Sequence, residues 1–429
     1  MLEKLVIGSP KRKASRNASS DEFYPYYAGF PLSFATDLIE SAELKEDSII
    51  YDPWNGSGTT TYAASTLGYR SFGLDLNPVM VIVAKARLIH TEDMDYLISA
   101  AKGLLSNFRS TSKYGTPEDP LSDWFDEKAC ALIRSLERHI FKETVREILT
   151  PEKDWTESFS PVTCGLYVSL FSTCRELLRR FKTSNPTWLR APKHLEKKLS
   201  LTRQDLLRLF SKHIDILSSS VRHQKIQARF SESVIEVGNT ISHRTPEAVD
   251  LILTSPPYCT RIDYTAATRV ELSLLHPLLR KTNSELSREM IGSIKVGKIA
   301  PEPDGGWGPT CLEFLKKLKE HPSKASTGYY YKTHVDYFEK MSKSITHICN
   351  ALKPDGRAIL VVQDSHYKEI HNDVPKIITE MANSKGLYLT RKVDFTVNNT
   401  FANLNPRSLK YRATGSATES VLCYRKSTK

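Results

Sequence analysis

No stretch of the sequence approaches the roughly 18 consecutive apolar residues of a membrane-spanning helix, so no membrane span is expected. Paired cysteines are missing too. Cys130, Cys164, Cys174, Cys259, Cys311, Cys349 and Cys423 form no CxxC unit, and an odd count spread this thinly argues against a disulfide framework or a zinc site. No metal is expected, and the chain reads as reduced and cytoplasmic. The opening MLEKLVIGSPKRKASRNASSDE has a short apolar start and a basic, Ser-rich continuation, without the apolar core of a signal peptide. SPKRKASR reads either as a localisation or phosphate-binding patch or, more plainly, as part of a solvated, disordered basic arm over residues 1–21. Internal repeats and low-complexity tracts are absent. So is GxxxxGK[ST], which leaves no lysine to hold a triphosphate, and the glycine spacing is not GxGxxG.

What is present is an ordinary globular composition. The 429 residues are 25% charged and 40% hydrophobic, enough chain for two or three domains. The formal charge of +11 is uneven: Arg175 to Arg229 holds 14 Lys/Arg against 4 Asp/Glu. Such a block suits a polyanion, of which nucleic acid is the usual one, although a solvated helix face would show the same excess.

Residues 47–52 (DSIIYD) predict a short buried strand, GSGTT a tight turn, Tyr62–Leu67 a helix, and Arg70–Leu74 a second strand closing on Asp75. This is the opening of a doubly wound nucleotide-binding sheet. Apolar spacing of three and four then predicts helices over Val79–His90, Asp93–Arg109, Ser122–Leu149, Thr163–Phe181 and, after the NPTWLRAP break, Lys193–Leu217. Sheet character returns at Lys225–Val237 and Asp250–Leu253. Residues 276–330 read as irregular. His334–Leu352 predicts a helix, KPDGR a turn into the strand Ala358–Val362, Val374–Lys385 a helix, and Leu387–Phe395 and Ser420–Tyr424 closing strands. The expected organisation is a basic arm (1–21), a cofactor-binding half (22–93), a helical basic insertion (94–228) and a catalytic half (229–429).

Two strand ends carry the chemistry. In YDPWNGSGTT, small residues let backbone approach a ligand at a helix N-terminus. Asp52 sits just before that turn, where it would repel a diphosphate but suit a cation bearing an ammonium and a sulfonium; on the plainer reading it satisfies backbone donors at the helix start. An acid in the place of Asp75 commonly binds ribose hydroxyls. In LILTSPPY, prolines cannot donate to a ladder, so the strand must stop near Thr254. Pro256 and Pro257 hold the backbone extended, freeing carbonyls to face the crevice. Ser255 adds an acceptor and Tyr258 an aromatic face. Two such acceptors can draw the hydrogens of a nucleobase amino group out of plane and expose its lone pair, once the base has left the duplex and stacked on the tyrosine. A proline-rich turn that merely caps a strand is the alternative.

Together, DPWNGSGTT and TSPPY resemble the motifs of the amino-methylating DNA methyltransferases. LGYRSFGLDLNP resembles the second motif of that family, YPYYAGFP the segment that closes over the methionine end of the cofactor, and LKPDGRAILVV the strand after the catalytic motif. The resemblance implies a Rossmann-like α/β class I methyltransferase sheet with a large helical insertion. It implies S-adenosyl-L-methionine as cofactor, held by Phe30, Asp52, Pro53, Gly56, Gly58, Thr59, Asp75 and Asn239, and catalysis by Ser255, Pro256, Pro257 and Tyr258. Asn239 stands where the family often has Asp and Trp54 where Phe is common. Ser255 resembles the cytosine-N4 branch more than the adenine-N6 branch. Arg261, Asp263 and Arg269 would contact the flipped nucleotide or its phosphate, or else form a salt-bridged start to the helix expected over Tyr264–Leu275. Cys259 lacks the Pro-Cys context of carbon-5 methylation. The implied partner is double-stranded DNA, with a cognate restriction endonuclease or another defence component beside it. An RNA amino-methyltransferase and a binding protein without turnover are the competing readings.

Overall fold

The computed structural model describes residues 4–11, 24, 29–111, 116, 118–145, 154–183, 188–194, 196–222, 232–243, 248–259, 264–297, 300–397 and 417–427. Its centre is a seven-stranded sheet. In chain order the strands are β1 (Ile49–Asp52), β2 (Arg70–Asp75), β3 (Ser233–Val237), β4 (Val249–Thr254), β5 (Leu352–Gln363), the short hairpin strands β6 (Ser365–Tyr367) and β7 (Ile370–Asn372), β8 (Leu387–Val397) and β9 (Ala417–Lys426). The sheet order is β3-β2-β1-β4-β5-β9-β8, while β6 and β7 pair only with each other. Strands β1 to β5 run parallel, and β9 is antiparallel to both β5 and β8. The order reverses between β1 and β4, which opens a crevice at their carboxyl ends.

Alternation along each strand builds two cores. Ile50, Leu251, Leu253, Ile359, Val361, Val421 and Cys423 face α1 (Leu32–Ser41) and α2 (Thr59–Thr66). Their neighbours Tyr51, Ile252, Ala358, Leu360, Leu422 and Tyr424 face α11 (Pro309–Glu320), α12 (Tyr331–Ala351) and α13 (Val374–Asn383). Period-two alternation with both faces buried is what a central α/β sheet requires.

A third core lies beyond the sheet. Helix α3 (Pro78–Arg87) packs Val79, Ile82, Val83 and Ala86 against α4 (Met94–Asn107), α5 (Glu127–Val145), α6 (Pro161–Leu177) and α7 (Arg203–Arg222). Among the described residues that follow α3, the helices α4 to α7 carry this packing. Gly165 lets α6 come close: a Cβ there would lie 2.7 Å from the Ile89 Cδ1.

Four expectations need correction. The described residues of 193–202 are not helical, because Leu199 pairs in extended form with Phe125, and α7 begins only after Thr202, whose hydroxyl accepts from Asp205 N. The 276–330 region contains α10 (Asn283–Glu289), opened by a Thr282–Glu285 capping box, and α11, opened by Pro309. The helix after the catalytic motif is broken at Thr268 into α8 (Tyr264–Ala267) and α9 (Arg269–Leu275). Residues 4–11 of the arm are docked: Leu5 is buried among Val421 and Cys423, and its carbonyl accepts from Arg391 Nη1 at 2.9 Å. The KPDGR turn survives as an outward loop of β5, with Asp355 at φ 62° and a register jump that sets Leu251 opposite Arg357.

Candidate active site

The crevice at the ends of β1, β2 and β4 gathers most of the expected residues. Asp52 closes β1 and is 3% exposed. Its Oδ1 accepts from the Trp54 amide at 3.1 Å and from the Thr254 hydroxyl at 2.5 Å, so it ties β1 to the last residue of β4. Burial pushes its carboxyl up to about 6, against the opposing pull of the Thr254 and Thr60 hydroxyls and the Trp54 N–H.

The glycine turn follows. Gly56 has φ 50° and Gly58 φ 81°, a left-handed backbone that favours glycine. A Cβ on Gly58 would also strike that of Ala84 at 2.7 Å, so this glycine permits α2 to pack on α3. The Gly56 amide donates to Asp75 Oδ2 and the Asn77 amide to Asp75 Oδ1, both at 2.8 Å. These donors counter the burial that raises the Asp75 carboxyl to about 6. Asp75 thus holds the glycine turn and the start of α3 at once.

Several expected ligand residues are occupied within the fold. The Thr59 hydroxyl accepts from Arg87 Nη1, which also donates to the Ser57 carbonyl. The Pro53 carbonyl accepts from the Thr240 hydroxyl at 3.0 Å. Asn239 uses its side-chain oxygen to accept from Ile241 N at 3.0 Å, which closes the turn after β3. Phe30 is buried against Phe34 at the start of α1, with ring centroids 5.1 Å apart.

Strand β4 ends at Thr254, and Ser255-Pro256-Pro257-Tyr258 leaves it into the crevice. Ser255, Pro257 and Tyr258 are half-buried and Pro256 is buried. Three tethers that no spacing rule reveals fix this segment. Tyr337 on α12 donates its hydroxyl to the Pro257 carbonyl at 2.9 Å. The Tyr258 amide donates to the Tyr264 hydroxyl at 3.1 Å, and the Tyr258 hydroxyl donates to Glu419 Oε1 at 2.9 Å. The Pro257 carbonyl is thereby engaged within the fold. Tyr264 has its phenol pushed up to about 12, chiefly by burial, with the Asp75 charge adding to the shift. Cys259 is 7% exposed, its thiol pushed up to about 12 by burial and its sulfur contacted by Asn372 Nδ2. A buried, protonated thiol is no nucleophile.

Of the residues expected at the nucleotide, Arg261 and Asp263 lie outside the described residues. Arg269 pairs with Asp123 of the insertion at 3.0 Å and lies over the Trp124 ring. Among the described residues, no cluster of His, Cys, Asp or Glu could hold a metal. None of the described helices is long and apolar enough to cross a membrane.

Residues 8–86 match the DNA methylase family of the N6/N4 type. Over that span the chain is similar to amino-DNA methyltransferases. It is 26% identical over 288 residues to the type II methyltransferase M.BsoBI of Geobacillus stearothermophilus, a span of 61% of this chain and 54% of that one. It is 24% identical over 276 residues to the type II methyltransferase M.AvaI of a Nostoc strain, covering 61% and 55%. The chain thus spans about half the length of the curated relatives it matches. A SAM-dependent methyltransferase structure from Methanosarcina mazei aligns over 91% of this chain at 9% identity with a TM-score of 0.31, too loose a likeness to weigh. The fold assignment rests on the strand order itself.

The family's methyl donor is S-adenosylmethionine, and the crevice suits it. An acid ends each of β1 and β2, glycines line the turn between them, and α2 presents its N-terminus there. The same turn buries the Asn55 side-chain nitrogen without a hydrogen-bond partner.

Proposed function

We propose that the protein is an S-adenosylmethionine-dependent DNA methyltransferase that modifies the exocyclic amino group of a flipped base, with cytosine N4 as the target. The observation that carries the reading is Ser255-Pro256-Pro257-Tyr258 at the carboxyl end of β4, joined to the glycine turn through the Asp52–Thr254 hydrogen bond. Bound S-adenosylmethionine would supply an electrophilic methyl group on its sulfonium. Asp75 would accept from the ribose hydroxyls, while Gly56 and Gly58 let the backbone approach the ligand.

The rest falls to this chain's own groups. The Ser255 hydroxyl oxygen and the Pro256 carbonyl accept from the two amino hydrogens of the target base, which makes the nitrogen more tetrahedral and its lone pair more available. The Tyr258 ring stacks on the extruded base and offsets part of the cost of unstacking it. Positioning of the amino nitrogen then supplies much of the rate. Serine in place of aspartate at position 255 supports cytosine over adenine. The type II methyltransferase names of the two relatives support a restriction–modification setting; double-stranded DNA is the proposed substrate, with a cognate endonuclease or another defence component as the proposed partner.

Nucleoside mass spectrometry of DNA and RNA from an expression host that lacks base modification tests this. N4-methylcytosine in the DNA is the expected product. N6-methyladenine would overturn the choice of base, and modified RNA alone would overturn DNA as the substrate. Asp75→Ala should weaken cofactor binding by about 10–100-fold, the scale of hydrogen bonds to a charged group, read by calorimetry.

A further inference from the structure

Glu419 stands at the start of β9, 161 positions beyond Tyr258, and no motif includes it. It is an acid only 7% exposed, and burial raises its carboxyl above the ordinary range. Such a group is costly unless a partner compensates it. Its carboxylate accepts from the Tyr258 hydroxyl at 2.9 Å.

The sheet explains how the two meet. Strand β9 runs antiparallel to β5, so the amino end of β9 lies at the carboxyl end of the parallel strands, and Glu419 pairs in register with Gln363. That is the end of the sheet from which Ser255–Tyr258 departs. The Tyr258 backbone is already fixed by Tyr264, and a hydrogen bond at the far end of the ring fixes the remaining side-chain torsions. A ring held at both ends is pre-organised to receive a base and loses little freedom when it does.

We propose that Glu419 is a positioning residue for base modification: its carboxylate holds the Tyr258 ring in the orientation that stacks the target base. The inference rests on the function proposed above. It extends the site from the β4 motif to the antiparallel strand on the other side of β5. Glu419 touches neither base nor cofactor in this account and acts only through Tyr258.

A double-mutant cycle tests it, with kcat and KM measured on unmodified DNA using methyl-labelled S-adenosylmethionine. Glu419→Ala and Tyr258→Phe each remove the same hydrogen bond and should each lower kcat/KM by about tenfold, the scale of one such bond. The double variant should be no worse than the weaker single, because there is one interaction to lose. Glu419→Gln, whose amide oxygen still accepts from the tyrosine, should recover most of the loss. Cofactor affinity reports folding of the site and should stay near wild type in Glu419→Gln and Tyr258→Phe, while melting temperature should stay near wild type in Glu419→Gln and fall in Tyr258→Phe, which leaves the buried acid without its tyrosine partner. Losses that multiply in the double variant, or wild-type kinetics in Glu419→Ala, would overturn the positioning role while leaving the methyltransferase reading intact. A wild-type protein that methylates no DNA would remove both.

Discussion

At the residue scale, Asp52 shows how a motif acid serves the fold before it serves any ligand. Its carboxyl is raised from 3.8 to about 6 by burial, so the folded state binds that proton more tightly than the unfolded chain. Its contribution to stability is therefore fully present below about pH 4 and is lost as pH rises to about 6. Asp52→Asn cannot titrate but keeps an oxygen for Trp54 and Thr254. The stability of wild type relative to this variant should fall by up to about 3 kcal/mol between pH 4 and pH 7, read from urea unfolding. A difference that does not change with pH would contradict the buried-acid account. The same scale shows what the sequence makes legible. Asp52, Asp75, Gly56, Gly58 and Ser255–Tyr258 stand in short motifs whose residue types follow from local backbone and strand ends. Glu419, Tyr337 and Tyr264 reach the site through the sheet and the loops around it, and nothing in their own neighbourhoods marks them. Thr59 and Asn239 sit where the family motifs place ligand residues, yet in this structure their oxygens accept from Arg87 and Ile241. Sequence shows that a polar atom is present but not what has already claimed it.

At the element scale, the insertion is wired to the segment after the catalytic motif. Arg175 of α6 is buried, pairs with Glu271 of α9 and donates to the Ala267 carbonyl at the end of α8. Tyr24 adds its hydroxyl to Glu271 at 2.9 Å. Arg134 of α5 reaches the Ser273 carbonyl at 2.6 Å and that of Leu274. These buried cations hold α8 and α9, and α8 begins with the Tyr264 that anchors Tyr258. Glu271→Ala leaves Arg175 buried without its carboxylate and should cost about 3–5 kcal/mol of unfolding free energy, read from urea denaturation. A loss within about 0.5 kcal/mol, as at an ordinary surface site, would contradict the clamp. Helix periodicity makes α4, α5 and α6 legible to within a few residues. It misleads at 193–202, where Leu199 finds a better partner in the extended Phe125. It is overruled by glycine and proline at 276–330, where Thr282 and Pro309 are in fact helix starts.

At the scale of the whole molecule, the +11 charge is less available than its total suggests. Within the basic block, Arg175, Arg190, Arg208, Lys212 and Arg222 pair with Glu271, Glu196, Asp205, Glu176 and Asp95. Lys197 and Lys198 are exposed. If the insertion faces DNA, Lys197→Glu/Lys198→Glu should weaken DNA binding by at least about tenfold at low salt and reduce the slope of log affinity against log salt by about two, with cofactor affinity unchanged. An unchanged slope would place the DNA on another face. The architecture was legible from strand–turn–helix order and the two motifs, because parallel α/β sheets use short buried strands and bind ligands where their order reverses.

The central claim is that cofactor binding and methyl transfer divide between the glycine turn and the β4 terminus. Ser255→Ala separates them most directly. Calorimetry should give this variant wild-type affinity for S-adenosylmethionine, while single-turnover transfer to DNA falls by about 100-fold or more, the loss expected when an oxygen that polarises the reacting group is removed. Transfer that survives in Ser255→Ala would contradict the account, and so would a variant that no longer binds the cofactor.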